Sequence, residues 1–258
     1  MQEWIRRDET KMTKIAIVTG GGRGIGRAIV DRLVRDGYSV LTCGRGDRPD
    51  DLPVAVDWVA ADVSIPAQAA MVASAAAEKG PVTLLVNNAG VQVEKTVTDS
   101  TDDDWDLVIG VNCRGVFNMC RAVLPGMTDM GGSIVNIGSI SGTVSDPSMA
   151  LYNASKAFVH GLTRSIAADH GPTVRCNAIL PGWIMTAMVD DAFALARDPA
   201  AAKQDALARI PVGRFGTPDD IANTVSWLAG AESAYVSGQC FTIDGGLTAV
   251  SPLQPGLF

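Results

Sequence analysis

One alternation constrains this chain more than anything else in it. Short apolar runs recur along the sequence: "KIAIVT" (14–19), "YSVLTC" (38–43), "VAVDWVAA" (54–61), "VTLLVNN" (82–88), "SIVNIG" (133–138), "VRCNAIL" (174–180) and "CFTID" (240–244). Between them lie longer stretches with helical character at 24–37, 66–80, 100–127, 150–171 and 217–230. Strand followed by helix, repeated, demands parallel strands joined by right-handed crossovers, with helices covering both faces of one sheet. The expectation is an α/β fold, a doubly wound parallel sheet in a three-layer αβα sandwich. No short-period repeat or linker divides it, so residues 14–258 read as a single domain, preceded by a flexible N-terminal extension at 1–13 where the pattern is missing. One irregular insertion, around 183–212, holds two helical pieces flanking a proline-containing break and reads as a lid.

The first strand-to-helix turn is "TGGGRGIG", residues 19–26. Glycine lets the backbone turn sharply and approach a ligand closely, and the unpaired amides of a helix N-terminus carry partial positive charge, which suits a pyrophosphate. The spacing is G-x-x-x-G-x-G at Gly20, Gly24 and Gly26, because the G-x-G-x-x-G pattern would need glycine where Ile25 or Arg27 stands. A phosphate-binding P-loop is excluded, since no Gly-Lys-Ser/Thr follows. A dinucleotide fold selects its ribose at the end of the second strand, where an acid reads the 2′-hydroxyl of NAD and an arginine accepts the 2′-phosphate of NADP. Here that strand ends in Gly44-Arg45, with no carboxylate before Asp47. Arg23 in the glycine turn adds a second guanidinium, so NADP(H) is expected in preference to NAD(H).

Composition narrows the partners. A net charge of -7 argues against nucleic acid and anionic membrane surfaces and leaves small molecules. Cys43, Cys113, Cys120, Cys176 and Cys240 form no C-x-x-C pair and read as free thiols of a cytoplasmic protein. His160 and His170 have no cluster of ligand partners, so no metal site is expected.

"LYNASKAF" places Tyr152 and Lys156 four apart on one helix face. A phenol, with a reference pKa of about 10, exchanges protons poorly at neutral pH unless a cation stabilises its anion. Lys156 is the expected source of that cation.

Eight motifs in order, "TGGGRGIG" (19–26), "ADV" (61–63), "NNAG" (87–90), Asn112 in "VIGVNCRGVF", "IGSISG" (137–142), "YNASK" (152–156), "PGWIMT" (181–186) and "GTPDDIA" (216–222), span nearly the whole chain. In these the sequence resembles the short-chain dehydrogenase/reductase family, compact single-domain type with a Rossmann fold, and is similar to its 3-oxoacyl-ACP reductase-like members. The resemblance implies Tyr152 as general acid/base, Ser139 as hydrogen-bond partner of the substrate oxygen, Lys156 as the group that lowers the tyrosine pKa and holds the nicotinamide ribose, and Asn112 as holder of a relay water. It implies cofactor contacts from Gly20, Arg23, Gly24, Ile25, Gly26, Gly44 and Arg45. Asp62 and Val63 would flank the adenine, Asn88, Ala89 and Gly90 its ribose, Ile184 and Thr186 would hold the carboxamide, and Pro181 and Gly182 would also contact the cofactor. Val91, Ile140, Met149, Trp183, Met188 and Val189 would wall an apolar or acyl-binding pocket, and the C-terminal strand would join a homotetramer.

The expected function is an oxidoreductase that moves a hydride between NADP(H) and a ketone or secondary alcohol. The alternative from another class is a nucleotide-sensing regulatory protein with the same fold and little turnover, which a degraded Ser139, Tyr152 or Lys156 would have favoured; all three are present.

Overall fold

The structure, a computed structural model, describes residues 14–250. The proposed extension at 1–13 and the last eight residues of the proposed domain lie outside the described residues. Seven strands, β1 (Ile15–Thr19), β2 (Ser39–Gly44), β3 (Asp57–Ala60), β4 (Val82–Asn87), β5 (Gly132–Ile137), β6 (Val174–Pro181) and β7 (Cys240–Ile243), pair in the order β3-β2-β1-β4-β5-β6-β7. Every pairing is parallel. The doubly wound sheet is therefore as the alternation demands, and all strand C-termini emerge on one edge.

Side chains alternate between its faces because the strand period is two. Ala16 and Val18 join Leu84, Val86 and Val135 beneath α1 (Gly24–Arg35) and α8 (Pro218–Ala229), through Ile29, Leu33, Ile221 and Val225. Ile15, Ile17, Leu85 and Ile134 turn the other way. They meet α2 (Pro66–Ala77), α4 (Val116–Met130) and α5 (Ala150–His170) through Val72, Met119, Met127, Val159 and Ile166. Each such side chain removed from water contributes roughly 1.5–3 kcal/mol, which is what holds the three layers together.

Helix starts follow local chemistry. Thr101 and Asp104 form a reciprocal capping box at the head of α3 (Asp102–Ile109), and Thr217 and Asp220 form another at α8, where Pro218 takes the first helical position. Between α3 and α4 the helix loosens into a π turn, Gly110–Gly115, which the sequence pattern does not announce. The continuous helix Asp102–Met130 is long and apolar enough to cross a bilayer, but most of its apolar stretch is buried in the fold, as in a core helix. Third-strand residues were expected from 54; the strand begins only at Asp57, because Val54 lies on the surface, 98% exposed. The insertion at 183–212 does contain two helices, α6 (Ala187–Ala194) and α7 (Pro199–Ala208).

Candidate active site

The strand order reverses between β1 and β4, the topological switch point of the sheet, and open α/β sheets bind ligands in the crevice there. The glycine turn fills one wall. Gly20 (φ +68°) and Gly24 (φ +55°) occupy the left-handed region, and a Cβ on Gly26 would stand 2.3 Å from the Gly20 carbonyl oxygen. The turn is pinned from below by two threonines that sequence reasoning missed. Thr42 Oγ1 accepts from the Gly21 amide at 2.9 Å and donates to the Val18 carbonyl at 2.6 Å. Thr19 Oγ1 accepts from the amides of Asn88 and Ala89, both at 3.0 Å. Neither was legible because each role depends on strand register.

Unlike α3 and α8, α1 has no side chain capping its N-terminus and no acid in its first turn. Its amides at Gly24, Ile25 and Gly26 are left for an anion. This cradle fits a dinucleotide pyrophosphate. Across it stands Thr186, whose methyl is 3.4 Å from a Cβ placed on Gly24, with Ile184 buried behind and bridged to Gly216. Asn88 Nδ2 donates to the carbonyls of Thr19 (2.9 Å) and Gly20 (3.2 Å), tying β4 to the turn. Asp62 accepts from the Ser64 amide and hydroxyl, while the Val63 carbonyl takes a bond from Asn118. Pro181 ends β6, and Gly182 packs where a Cβ would meet Asp244 at 2.7 Å. At the end of β2, Gly44 makes room for the Trp58 ring, whose edge would be 2.7 Å from a Cβ there. Beyond it Arg45 is exposed. Among the described residues neither the Arg23 nor the Arg45 side chain has a hydrogen bond or ion pair, whereas Arg27 is held by Asp31 and Asp51 and Arg48 by the carbonyls of Leu52 and Pro53.

The second wall is the turn after β5 facing α5. Ser139 is buried at the strand end, near enough to Tyr152 to act on its hydroxyl. Lys156 is buried too, its Nζ 5.5 Å from the centre of the Tyr152 ring and 2.9 Å from the Ile137 carbonyl to which it donates. Gly90 lies alongside: a Cβ there would be in ordinary contact with Lys156 Nζ at 3.6 Å and Asn112 Oδ1 at 3.4 Å. The structure thus brings Ser139, Tyr152, Lys156 and Asn112 together beside the crevice.

The Tyr152 hydroxyl is not made more acidic in the protein alone. Burial pushes it up to about 12, and Asp146 pushes the same way, against the smaller lowering by Ser139. Lys156, whose own pKa burial lowers to about 8, keeps its proton at neutral pH and directs its hydrogen bond to the Ile137 carbonyl. The Asn112 side chain is likewise committed: Oδ1 accepts from the Val91 amide (2.9 Å), and Nδ2 donates to the Val91 carbonyl (2.8 Å) and Ser155 Oγ (3.0 Å). These bonds fasten the π turn to Val91 and α5, and Oδ1 keeps a second lone pair.

A family model described as enoyl-(acyl carrier protein) reductase matches residues 20–248. The chain belongs to the short-chain dehydrogenase/reductase family. It is thereby an NAD(P)-dependent oxidoreductase acting on CH–OH groups. It is 37% identical, over 91% of its length and 97% of the relative's, to the 3-oxoacyl-[acyl-carrier-protein] reductase FabG of Thermotoga maritima. To the NADP-dependent (R)-specific alcohol dehydrogenase of Lentilactobacillus kefiri it is 38% identical, covering 92% of this chain and 97% of that one. Among solved structures, a gluconate 5-dehydrogenase from Burkholderia cenocepacia in complex with NADP and tartrate superposes with a TM-score of 0.86 at 32% identity, covering 92% and 96% of the two chains.

Proposed function

We propose that this reductase/dehydrogenase interconverts an apolar or acyl-bearing ketone and its secondary alcohol with NADP(H), using Tyr152 as the proton donor in reduction and acceptor in oxidation. The convergence of Tyr152, Ser139 and Lys156 on one side of the glycine-turn crevice is the observation that carries this reading. When bound, the nicotinamide supplies or takes up the hydride. The chain's part is positional and electrostatic. A protonated Tyr152, half-buried at the crevice, presents its hydroxyl to a carbonyl oxygen, and Lys156 beneath the ring steadies the phenolate that remains after donation. Asn112 fixes the π turn against which α5 rests.

Arg23 and Arg45, unpaired among the described residues, with no acid at the end of β2, favour the 2′-phosphate of NADP(H). The remaining cradle residues, Gly20, Gly24, Ile25 and Gly26 with Gly44, Asp62, Val63, Asn88, Ala89, Gly90, Pro181, Gly182, Ile184 and Thr186, would line the cofactor's course. On the substrate side, Ile140 is buried and Trp183 stacks on Phe193 of α6 at 5.1 Å between ring centres, so an apolar wall backs the site and α6–α7 would serve as the lid. The relatives named for acyl-carrier and alcohol substrates support the same substrate classes. Buried free thiols suit a reducing cytoplasm, and the apolar outer faces of α4 and α5, with Phe117 and Phe158 each 43% exposed, suit burial against further copies in a homotetramer.

The test is oxidation of NADPH, followed by absorbance, over cyclic ketones, short diketones, steroids and 3-oxobutanoyl thioesters. Turnover of at least one class, abolished by Tyr152→Phe with NADPH affinity kept within a few-fold, is expected. A Tyr152→Phe protein that still turns over refutes the assigned acid/base.

A further inference from the structure

The turn after β5 holds a hydrogen-bond chain that the roles above leave unused. Ser141 Oγ lies 2.6 Å from Asp146 Oδ2 and 3.0 Å from Ser139 Oγ, and the Ser141 amide donates to Ser139 Oγ at 3.1 Å. A hydroxyl owns one proton, and an ionised carboxylate can only accept. Ser141 must therefore donate to Asp146, which leaves its oxygen to accept from Ser139. The Ser139 proton is then directed toward Ser141, away from the substrate side. A carbonyl oxygen approaching the site needs donors, and in this state only the Tyr152 hydroxyl offers one. An alcohol does better, since it accepts from Tyr152 and donates its own proton to Ser139.

The chain is built, not incidental. The Asp146 main-chain carbonyl accepts from Asn153 Nδ2 of α5 at 2.9 Å, and Ser148, two residues on, has φ +57°, the only non-glycine positive φ among the described residues. A strained residue of this kind persists where its surroundings enforce it. Among the described residues no Lys or Arg pairs with Asp146. The other titratable groups around the turn are Tyr152 and Lys156 on α5, His160 of α5 lying against Gly138 and Gly142, and Cys113 of the π turn beside Lys156.

We propose that Asp146 is a positioning residue which, through Ser141, sets the hydrogen-bond polarity of Ser139 and so biases the resting site toward alcohol over ketone. No bond is made or broken; neutralising the carboxylate or removing Ser141 lets the Ser139 hydroxyl rotate and donate to a carbonyl oxygen. The assignment rests on the reading that Ser139 and Tyr152 face the substrate oxygen.

Ser141→Ala and Asp146→Asn test it, with the ketone/alcohol pair turned over best by the parent protein, either cyclohexanone/cyclohexanol or the 3-oxobutanoyl/3-hydroxybutanoyl thioesters of N-acetylcysteamine. Calorimetric Kd values are measured in the two unreactive complexes, ketone with NADP+ and alcohol with NADPH. In both variants the ketone should tighten and the alcohol weaken, moving the ratio of the two Kd values about tenfold, as one redirected hydrogen bond allows. A merely structural lesion weakens both ligands together. Movement of both in one direction, or no movement, in whichever variant folds overturns the role of Asp146 while leaving the reaction in place. Failure of the parent protein to turn over any pair overturns the reaction and this assignment with it.

Discussion

Lys156 Nζ sits 5.5 Å from the centre of the Tyr152 ring, yet its hydrogen bond goes to the Ile137 carbonyl at 2.9 Å. The ammonium is close enough to act on the phenol and is itself uncomfortable where it lies. Burial lowers its pKa to about 8, so between pH 8 and 10.5 the unfolded chain holds a proton that the folded chain has released. Stability from this group therefore rises with pH across that window and is lowest below it. Lys156→Met should stabilise the protein at pH 7 by on the order of 2 kcal/mol, with the gap closing toward pH 10.5. Urea unfolding of both proteins from pH 7 to 10 checks this, and a gap that stays constant with pH would contradict the buried-ammonium account.

Cofactor choice can be tested apart from turnover. Arg45 is exposed at the end of β2 and unpaired among the described residues, so Arg45→Asp should leave the fold untouched. It should weaken NADPH at least tenfold and leave NADH within about twofold, the loss expected for one charge-assisted phosphate contact turned repulsive. Fluorescence titration with both cofactors reads the two affinities. Equal loss for both would place Arg45 outside the ribose site.

The layers, the parallel sheet and most element boundaries are legible because hydrophobic period is a local property, and the glycine turn because its shape needs glycine at fixed places. What escaped depends on contacts between distant segments. "GVNCRG" reads as ordinary helix, and its π form accompanies an anchor between Asn112 and Val91 that are far apart in sequence. Thr42 and Trp58 look like any strand residues until register sets them under the turn and against Gly44. The Tyr152–Lys156 spacing put the two groups on one face but could not reveal that burial moves both toward their neutral forms. The link between Ser141 and Asp146 is silent in the sequence, because a hydrogen-bond chain through a turn leaves no periodic trace.

Two glycines separate packing from propensity. Gly26→Ala would force a Cβ to 2.3 Å from the Gly20 carbonyl and 2.4 Å from Asn88 Nδ2, closing the turn from inside. A loss of about 3 kcal/mol or more and of NADPH binding is expected. Gly126 lies within α4 with nothing inside 4 Å of an added Cβ, so Gly126→Ala should instead gain roughly 0.5–1 kcal/mol. Thermal unfolding of the pair decides it, and opposite signs are required.

Thr42 offers the sharpest link between the hidden scaffold and binding. Its fully buried hydroxyl holds the Gly21 amide from one side and the Val18 carbonyl from the other, so β2 fixes the height of the glycine turn above the sheet. Thr42→Val keeps the shape and deletes the hydroxyl, leaving a buried amide without that partner, at a cost of about 1–3 kcal/mol. Because the same amide shapes the cradle over α1, NADPH Kd should rise about tenfold, while Thr42→Ser, which retains the hydroxyl, stays near the parent. Calorimetric titration beside thermal unfolding distinguishes the two effects. A Thr42→Val protein that is less stable but binds NADPH unchanged would show that the turn keeps its shape without β2, and that the pyrophosphate cradle is set by the glycines alone.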